Sequence, residues 1–367
     1  MIQRVRPGRR DQFLRLLYLT YEARGHLISR RRLAIDTTSS AIPVRRKKSR
    51  WNRNTVYTNL SYLVMVLPGA IWLLLFSYLP MPGIIMAFKT YRLVKPPADS
   101  FIQNKFIYSL IQSPWVGLDN FRYLTLPTNI GNTLTYIRNT VSYNLLFMVV
   151  GLVLSVGLAV MIFELTNRFL AKLYHSIFFL PFFISWIVVA YVIYALGSSQ
   201  GIINSGLTSM GFGPIEMYKE KIFWPFIFLI ANIWRYTGNG SIIYLATITG
   251  IDRELYEAAA IDGAGKWKQF IYITIPHLIP VIVLLQILAV GRIFGSDFDM
   301  FYTLPNGAAL VKDVTQTLDV FVYGMLRSAT PLGYPAAAAF VQSIVGFVLI
   351  LITNTVVRRT KPELALF

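Results

Sequence analysis

The sequence predicts an all-α, polytopic membrane protein with six transmembrane helices. Only 14% of its 367 residues are charged, against about 25% in soluble domains. Hydrophobic residues make up 55%, and mean hydropathy is +0.53. Six separate windows are apolar over lengths close to the ~20 residues that a helix needs to cross a ~30 Å bilayer core.

The chain opens with a basic tail, residues 1–53, in which fifteen Lys/Arg face only Asp11, Glu22 and Asp36. Twelve of the eighteen net positive charges therefore sit in this tail. A basic segment can bind nucleic acid. This one directly precedes an apolar span, which instead favours a cytoplasmic tail on the membrane surface. Its basic region is longer than a whole signal peptide of about 15–30 residues. Phe13–Ile28 is compatible with an amphipathic surface helix or with a partly disordered tail.

The six windows are roughly Leu60–Phe88, Val141–Phe163, Ile177–Leu196, Phe223–Thr249, Ile279–Phe294 and Ala336–Val357. The fifth is short, and its helix is expected to extend into the residues that follow. Placing the tail inside puts Asn167–Tyr174, Gly250–Ile275 and Arg358–Lys361 in the cytoplasm, each with Lys or Arg close to a span. Lys89–Ile137, Gly197–Ile222 and Gly295–Pro335 then lie outside, and both termini are cytoplasmic. Three regions follow: the tail at 1–53, a first span and external loop with an interfacial segment at 54–136, and a core of five spans at 137–359. The core contains a cytoplasmic loop at 250–276.

No catalytic constellation stands out. The chain has no cysteine, which excludes disulfides and thiol chemistry. His26, His175 and His277 are too scattered for a His-based metal site, and no Ser-His-Asp arrangement is suggested. "DGAGKW" looks like a phosphate loop but fails the G-x-x-x-x-G-K-[ST] pattern, with Ala260 at the first Gly position and Trp267 after the Lys.

The charged stretch "ELYEAAAIDGAGKWKQFIYITIP", Glu254–Pro276, is anomalous between two apolar spans. Asp252 can cap a helix from Arg253, and Asp262-Gly263 supplies a turn after Ile261. Nine residues span ~13 Å, short of the 12–15 at which isolated helices become marginally stable. Such a helix must dock on something. Ala258, Ala259 and Ala260 would let its backbone approach a groove closely. A second short amphipathic helix, Lys266–Ile273, is expected next, with Pro276 opening the following span, where its missing N–H matters little. By these residues alone, an ordinary interfacial helix fits equally well.

The spacing adds to this. Glu257-Ala258-Ala259, three residues, Gly263, nine residues, Ile273-x-Ile275-Pro276 resembles the EAA signature of binding-protein-dependent ABC transporter permeases, with Ile275 in place of Leu. "NIWRYTGNGSIIYLATITGI", "FLPFFISWIVV", "GIIN", "WVGLDNF" and "IRNTVSY" resemble segments of sugar-type permeases. "SDFDMFYTLPNGAAL" and "TLDVFVYGML" are similar to the branch that includes lipo-oligosaccharide and alginate permeases. The likeness covers roughly Leu60–Arg359 and leaves out the basic tail.

The resemblance implies an ABC importer permease fold in a bacterial cytoplasmic membrane, moving oligosaccharides or polysaccharide fragments. It implies a coupling helix anchored by Glu257, with Ala258 and Ala259 allowing close approach, Gly263 the turn, and Ile273 and Pro276 completing the signature. The implied partners are an ATPase dimer, which holds the ATP and Mg that this chain does not bind, a second permease subunit and an extracytoplasmic solute-binding protein.

Arg235 falls mid-span, where a charge costs at least ~2.5–3.5 kcal/mol on insertion scales. With Asn232, Tyr236 and Asn239 on the same helix, and Trp186 and Tyr191 on the preceding span, it could line a sugar pathway. Equally, it could pair structurally with a neighbouring subunit. Arg292, Asp297 and Asp299 could meet a binding protein or simply be solvated. A secondary transporter would instead need acidic residues in mid-membrane. Apart from Glu164, at the inner edge of the second span, the windows contain no acidic residue.

Overall fold

The computed structural model describes residues 53–328 and 330–367. The basic tail up to residue 52, with the expected Phe13–Ile28 helix, lies outside them. No β-strand occurs among the described residues. The helices in chain order are α1 (Arg53–Leu73), α2 (Lys105–Gln112), α3 (Asp119–Thr125), α4 (Ile130–Phe163), α5 (Arg168–Phe179), α6 (Trp186–Gly197), α7 (Ile202–Ser209) and α8 (Phe223–Thr249). They continue as α9 (Arg253–Ile261), α10 (Lys266–Gln269), α11 (Ile275–Gly291), α12 (Phe298–Thr303), α13 (Lys312–Thr315), α14 (Leu318–Arg327) and α15 (Gly333–Thr360).

Two units divide the chain. The first ends at Leu79. In it α1 carries Pro68 in its interior and continues into a π-turn, Leu74–Tyr78. The second, Pro80–Phe367, contains the rest.

Among the described residues, five helical segments are long and apolar enough to cross a membrane: Asn59–Phe88, Ile130–Phe163, Trp186–Ser209, Lys266–Gly291 and Gly333–Thr360. The remaining predicted window, the fourth, coincides with α8, whose 27 residues would extend ~40 Å. Its Asn232, Arg235 and Asn239 make it more polar than the others.

At the centre of the second unit α4 and α8 run in the same direction. Tyr143 meets Phe228 with ring centroids 5.4 Å apart, and further along Ser155 Oγ reaches the Thr237 carbonyl at 3.4 Å. Lipid is as apolar as these side chains, so helix association inside a bilayer rests on close packing of small residues. Gly238 is the tightest case. A Cβ there would lie 2.0 Å from the Phe178 carbonyl oxygen at the end of α5.

Three predicted elements change. The third window, Ile177–Leu196, is not one helix. α5 ends at Phe179, a 3₁₀ turn with buried Pro181 follows, and Ile184 is extended before α6 restarts. Proline lacks the N–H that would continue the ladder, and a run of apolar residues hides this. The second span starts at Ile130, well before Val141. The fifth extends backwards, not forwards: a π-turn, Phe270–Thr274, joins α10 to α11 in one continuous helix, which stops at Gly291.

The expected outer loop Gly295–Pro335 is built from α12, α13 and α14, and the N-terminal half of α4 holds it. Asn139 Nδ2 donates to the Asp313 and Gln316 carbonyls at 2.8 and 3.0 Å, and Asn144 Nδ2 to those of Ile293 and Gly295 at 2.9 and 2.8 Å. Tyr143 Oη donates to the Val314 carbonyl at 2.7 Å, and Thr140 Oγ1 accepts the Leu318 N–H at 2.9 Å. Asp319 joins the same assembly, accepting Ser296 Oγ at 2.7 Å and Gln342 Nε2 at 2.8 Å.

Replacing Gly238 by Ala should destabilise the protein by about 1–3 kcal/mol, the range for overpacking, because the obstructing atom is backbone. Gly157→Ala, with no atom within 4 Å of the new Cβ, should not destabilise and should gain up to about 1 kcal/mol from helix propensity. Thermal unfolding of the purified variants in detergent measures both.

Candidate functional site

The charged stretch forms a fixed projection. Asp252 caps α9 by accepting the Glu254 N–H at 3.1 Å. At the other end Gly263 donates its N–H to the Ala260 carbonyl, and Ala264 donates to that of Ala259 at 2.8 Å. These two bonds are the Schellman arrangement that closes helices. It requires a left-handed residue, which Gly263 supplies with φ +76°. No atom lies within 4 Å of a Cβ built there, so the demand for glycine is conformational, not steric.

Side chains that sequence reasoning missed tie this projection to the spans. Tyr256 Oη and Thr274 Oγ1 are 2.9 Å apart, and the Tyr256 ring lies 5.8 Å from that of Phe163 at the C-terminal end of α4. Lys266 Nζ pairs with Glu164 Oε2 at 2.6 Å. Gln269 Nε2 donates to the Ala264 carbonyl at 3.0 Å. Thr274 and Gln269 are buried, whereas Glu257, Ala258, Gly263 and Pro276 are exposed and Ala259 and Ile273 half-buried. Pro276 lies among the first two residues of α11. Ile261 is 87% exposed and Trp267 71%. The projection is thus rigid on its membrane side and presents a carboxylate, small residues and uncovered apolar groups on the other.

The second cluster gathers on α6 and α8. Trp186 Nε1 donates to Asp297 Oδ2 at 2.8 Å, and Tyr236 Oη donates to the same oxygen at 2.6 Å. The other carboxylate oxygen caps α12 through the Met300 N–H at 3.4 Å. The Arg235 guanidinium lies 4.5 Å from the centroid of the Trp186 ring and 5.7 Å from that of Tyr236. Its Nε and Nη1 are buried and have no hydrogen-bond partner. Asp297 is therefore neither a solvated loop residue nor free to face a binding protein, as the sequence had suggested; Arg292 and Asp299 are exposed. The signal for Asp297 was its place before an apolar run, as a helix cap.

Asn232, Tyr236 and Asn239 share a cavity of about 240 Å³ between α4 and α8, with Phe147, Ser155 and Thr237. Tyr191 stands apart. It lines a larger cavity of about 600 Å³ with Tyr194, Tyr302, Asn306, Lys312 and Gln316. Between these regions Met300, Phe301 and Leu304 are packed against Tyr143, Trp186, Trp224 and Phe228.

Comparison with known proteins places these features in context. A family profile described as "Binding-protein-dependent transport system inner membrane component" matches residues 151–363. The chain is 32% identical over 303 residues to the polygalacturonan/rhamnogalacturonan transport system permease protein YteP of Bacillus subtilis (strain 168), covering 82% of this chain and 88% of that protein. A chain of a bacterial ABC transporter involved in the import of the acidic polysaccharide alginate superimposes with a TM-score of 0.70 at 28% identity, covering 84% of this chain and 98% of that one. A bacterial alginate ABC transporter in complex with an alginate pentasaccharide-bound periplasmic protein gives 0.69 at 27% identity, over 84% and 97%.

Gly263→Ala should loosen the end of α9. A left-handed conformation costs a non-glycine residue about 1–2 kcal/mol. Hydrogen–deuterium exchange of the amides at 259–264 should accelerate by roughly five- to thirtyfold, while exchange in α4 and α8 stays unchanged.

Proposed function

This chain belongs to the family of binding-protein-dependent transport system inner membrane components, and from that premise we propose that it moves oligosaccharides, or fragments of polysaccharides, through a pathway beside α8. As a permease subunit of this kind it is a multi-pass protein of the inner membrane. The substrate class rests on what the relatives' names say they carry. In this reading ATP and Mg are held by a separate ATPase dimer, a second permease subunit, identical or homologous, completes the pathway, and an extracytoplasmic solute-binding protein delivers the substrate. Both termini are then cytoplasmic.

The observation that carries this reading is the projection formed by α9. A nine-residue helix is too short to be stable by itself. Here both ends are closed and its inner face is bonded to Thr274 and packed on Phe163, yet Glu257, Ala258 and Ile261 face outward. Such an element passes on a push without bending. Glu257 is the anchor, Ala258 and Ala259 admit the partner's surface closely, Gly263 keeps the turn, and Ile273 and Pro276 join the projection to the next span.

The substrate would then pass Arg235, Asn232, Tyr236 and Asn239 on α8 and Trp186 on α6, with Tyr191 at the separate, larger cavity. Aromatic faces and amide groups suit sugars, whose rings present both C–H faces and hydroxyls.

Charge reversal at the anchor tests the docking. Glu257→Lys should leave insertion and helix content intact while lowering transport, and ATPase activity stimulated by the loaded binding protein, at least about tenfold, because a like charge against a complementary surface suppresses binding. Full stimulated ATPase activity in the purified variant complex would show that α9 is not the coupling element.

A further inference from the structure

The short helix α2 is built inside out. Its buried side is polar: Ser109 has no exposed surface, and Ser113, just past the last turn, is 5% exposed. Both hydroxyls serve the extended chain beside the helix. Ser109 Oγ accepts the Val94 N–H at 2.8 Å, and Ser113 Oγ accepts that of Arg92 at 3.1 Å. Ile107 and Ile111 lie two residues to either side of Ser109, about 160° round the helix from it, and are 46% and 55% exposed. A helix on a water-soluble surface turns its apolar stripe to the core; this one turns it away. Its ends are closed from within. Asn104 Oδ1 accepts the N–H groups of Phe106 and Ile107 at 3.0 and 3.3 Å. At the other end the buried Lys89 donates from Nζ to the Leu110 and Ile111 carbonyls at 2.8 and 3.2 Å, 4.9 Å from the centroid of the exposed Trp115 ring. Water serves such carbonyls on an aqueous surface, whereas the interior of a bilayer offers no donor.

We propose that α2 lies in the surface layer of the bilayer, with Ile107 and Ile111 against the acyl chains of lipid. Its place in the fold supports this occupant. The chain around it is tied to the ends of three membrane-crossing segments. Val116 donates its N–H to the carbonyl of Phe88, the last residue of Asn59–Phe88, at 2.9 Å. Asn120 Nδ2 donates to the Ala87 and Lys89 carbonyls at 2.9 and 3.0 Å. Asn120 also fills the space beside Gly333, where a Cβ would lie 2.5 Å from its Nδ2, and Tyr123 stacks on Tyr334 with ring centroids 4.4 Å apart. Gly333 and Tyr334 begin α15, and α3, which carries Asn120 and Tyr123, leads into the start of α4 at Ile130. Where three such ends gather, the bundle meets the membrane surface, and the lipid contact of the spans continues onto α2. The exposed Arg92, Lys95 and Lys105 have stems long enough to bring their charges to the headgroups, and Trp115 is of the type that collects at this level. A protein that docks and leaves fits less well, because such interfaces are no more apolar than the rest of a surface. Anchored in this way, α2 fixes the depth of Phe88 and Gly333 in the membrane.

The test uses the complete transporter in vesicles of phosphatidylethanolamine and phosphatidylglycerol, with its other subunits made cysteine-free. This chain has no cysteine, so Ile107→Cys, Ile111→Cys and Lys219→Cys, the last in an exposed loop, each carry a single nitroxide label. Collisions of the label with oxygen, which dissolves in lipid, are compared with those with a nickel chelate, which stays in water. At Ile107 and Ile111 the ratio of oxygen to nickel collisions should exceed that at Lys219 at least about threefold, as expected for a group 5–10 Å below the headgroups. A ratio equal to that at Lys219 would place the stripe in water. Exclusion of both reagents would show that a protein covers it, whether a second permease subunit or a binding protein. Either result would overturn the proposal. Should the labels prevent assembly, the unmodified transporter is illuminated in the presence of a lipid with a diazirine on its acyl chain. Peptides from α2 should then carry the cross-link, and cross-links on α4 with none on α2 would overturn the proposal. Neither measurement depends on which substrate is moved, so the proposal and the permease reading stand or fall separately.

Discussion

Inside a bilayer no water is available to a carbonyl or an N–H, so any backbone that is not helical must find its partners in the protein. The N-terminal half of α4 supplies such partners. Asn139, Thr140, Tyr143 and Asn144, a short run of one helix, bond the chain from Ile293 to Leu318 at six points. Without them a segment of short helices and turns could not sit against the bundle. With them, α12 is set so that Phe301 packs on Tyr143 and Phe228 and Asp297 reaches Trp186 and Tyr236. The aromatic packing between the two cavities and the setting of Arg235 both depend on this row of side chains.

The two candidate regions are joined by the same few helices. α4 carries the polar row in its N-terminal half and Phe163 and Glu164 at its C-terminal end, where they touch Tyr256 and Lys266. α8 carries Arg235 in its middle and leads directly into Asp252 and α9. A force applied to α9 therefore meets the C-terminal end of α4 and the N-terminal end of α11 first, and both helices continue to the segment from Ile293 to Leu318. Close packing of α4 on α8, tightened by Gly238 against α5, leaves little room for these movements to be absorbed locally.

Much of this was legible because local chemistry dictated it. The limits of α8 follow from its apolar window, and those of α9 from Asp252 at one end and Gly263 at the other, since caps and turns act over a few residues. What escaped was decided at longer range. An apolar run does not show whether Pro181 bends a helix or breaks it. The polar start of α4 reads as loop because its Asn and Thr side chains serve backbone groups some 150–180 residues away. Asp297 reads as a surface acid because its partners, Trp186 and Tyr236, lie on other helices. The cluster around Arg235 was half visible: Trp186, Arg235 and Tyr236 do come together, Asn232 and Asn239 share the neighbouring cavity, and Tyr191 belongs elsewhere.

The π-turn Phe270–Thr274 gives the fixed spacing between Gly263 and Pro276 a physical meaning. A π-turn holds one residue more than the α-turn it replaces, and each residue of an α-helix advances the azimuth by about 100°. This turn lies between the projection and the membrane-crossing part of one continuous helix. It therefore sets the angular phase of α11 relative to α9. A chain with the same number of residues but an ordinary α-helix in place of this turn would keep every side chain of the signature and still present the wrong face of α11 to the bundle, turned by about 100°. The number of residues between glycine and proline is thus a rotation angle written as a length.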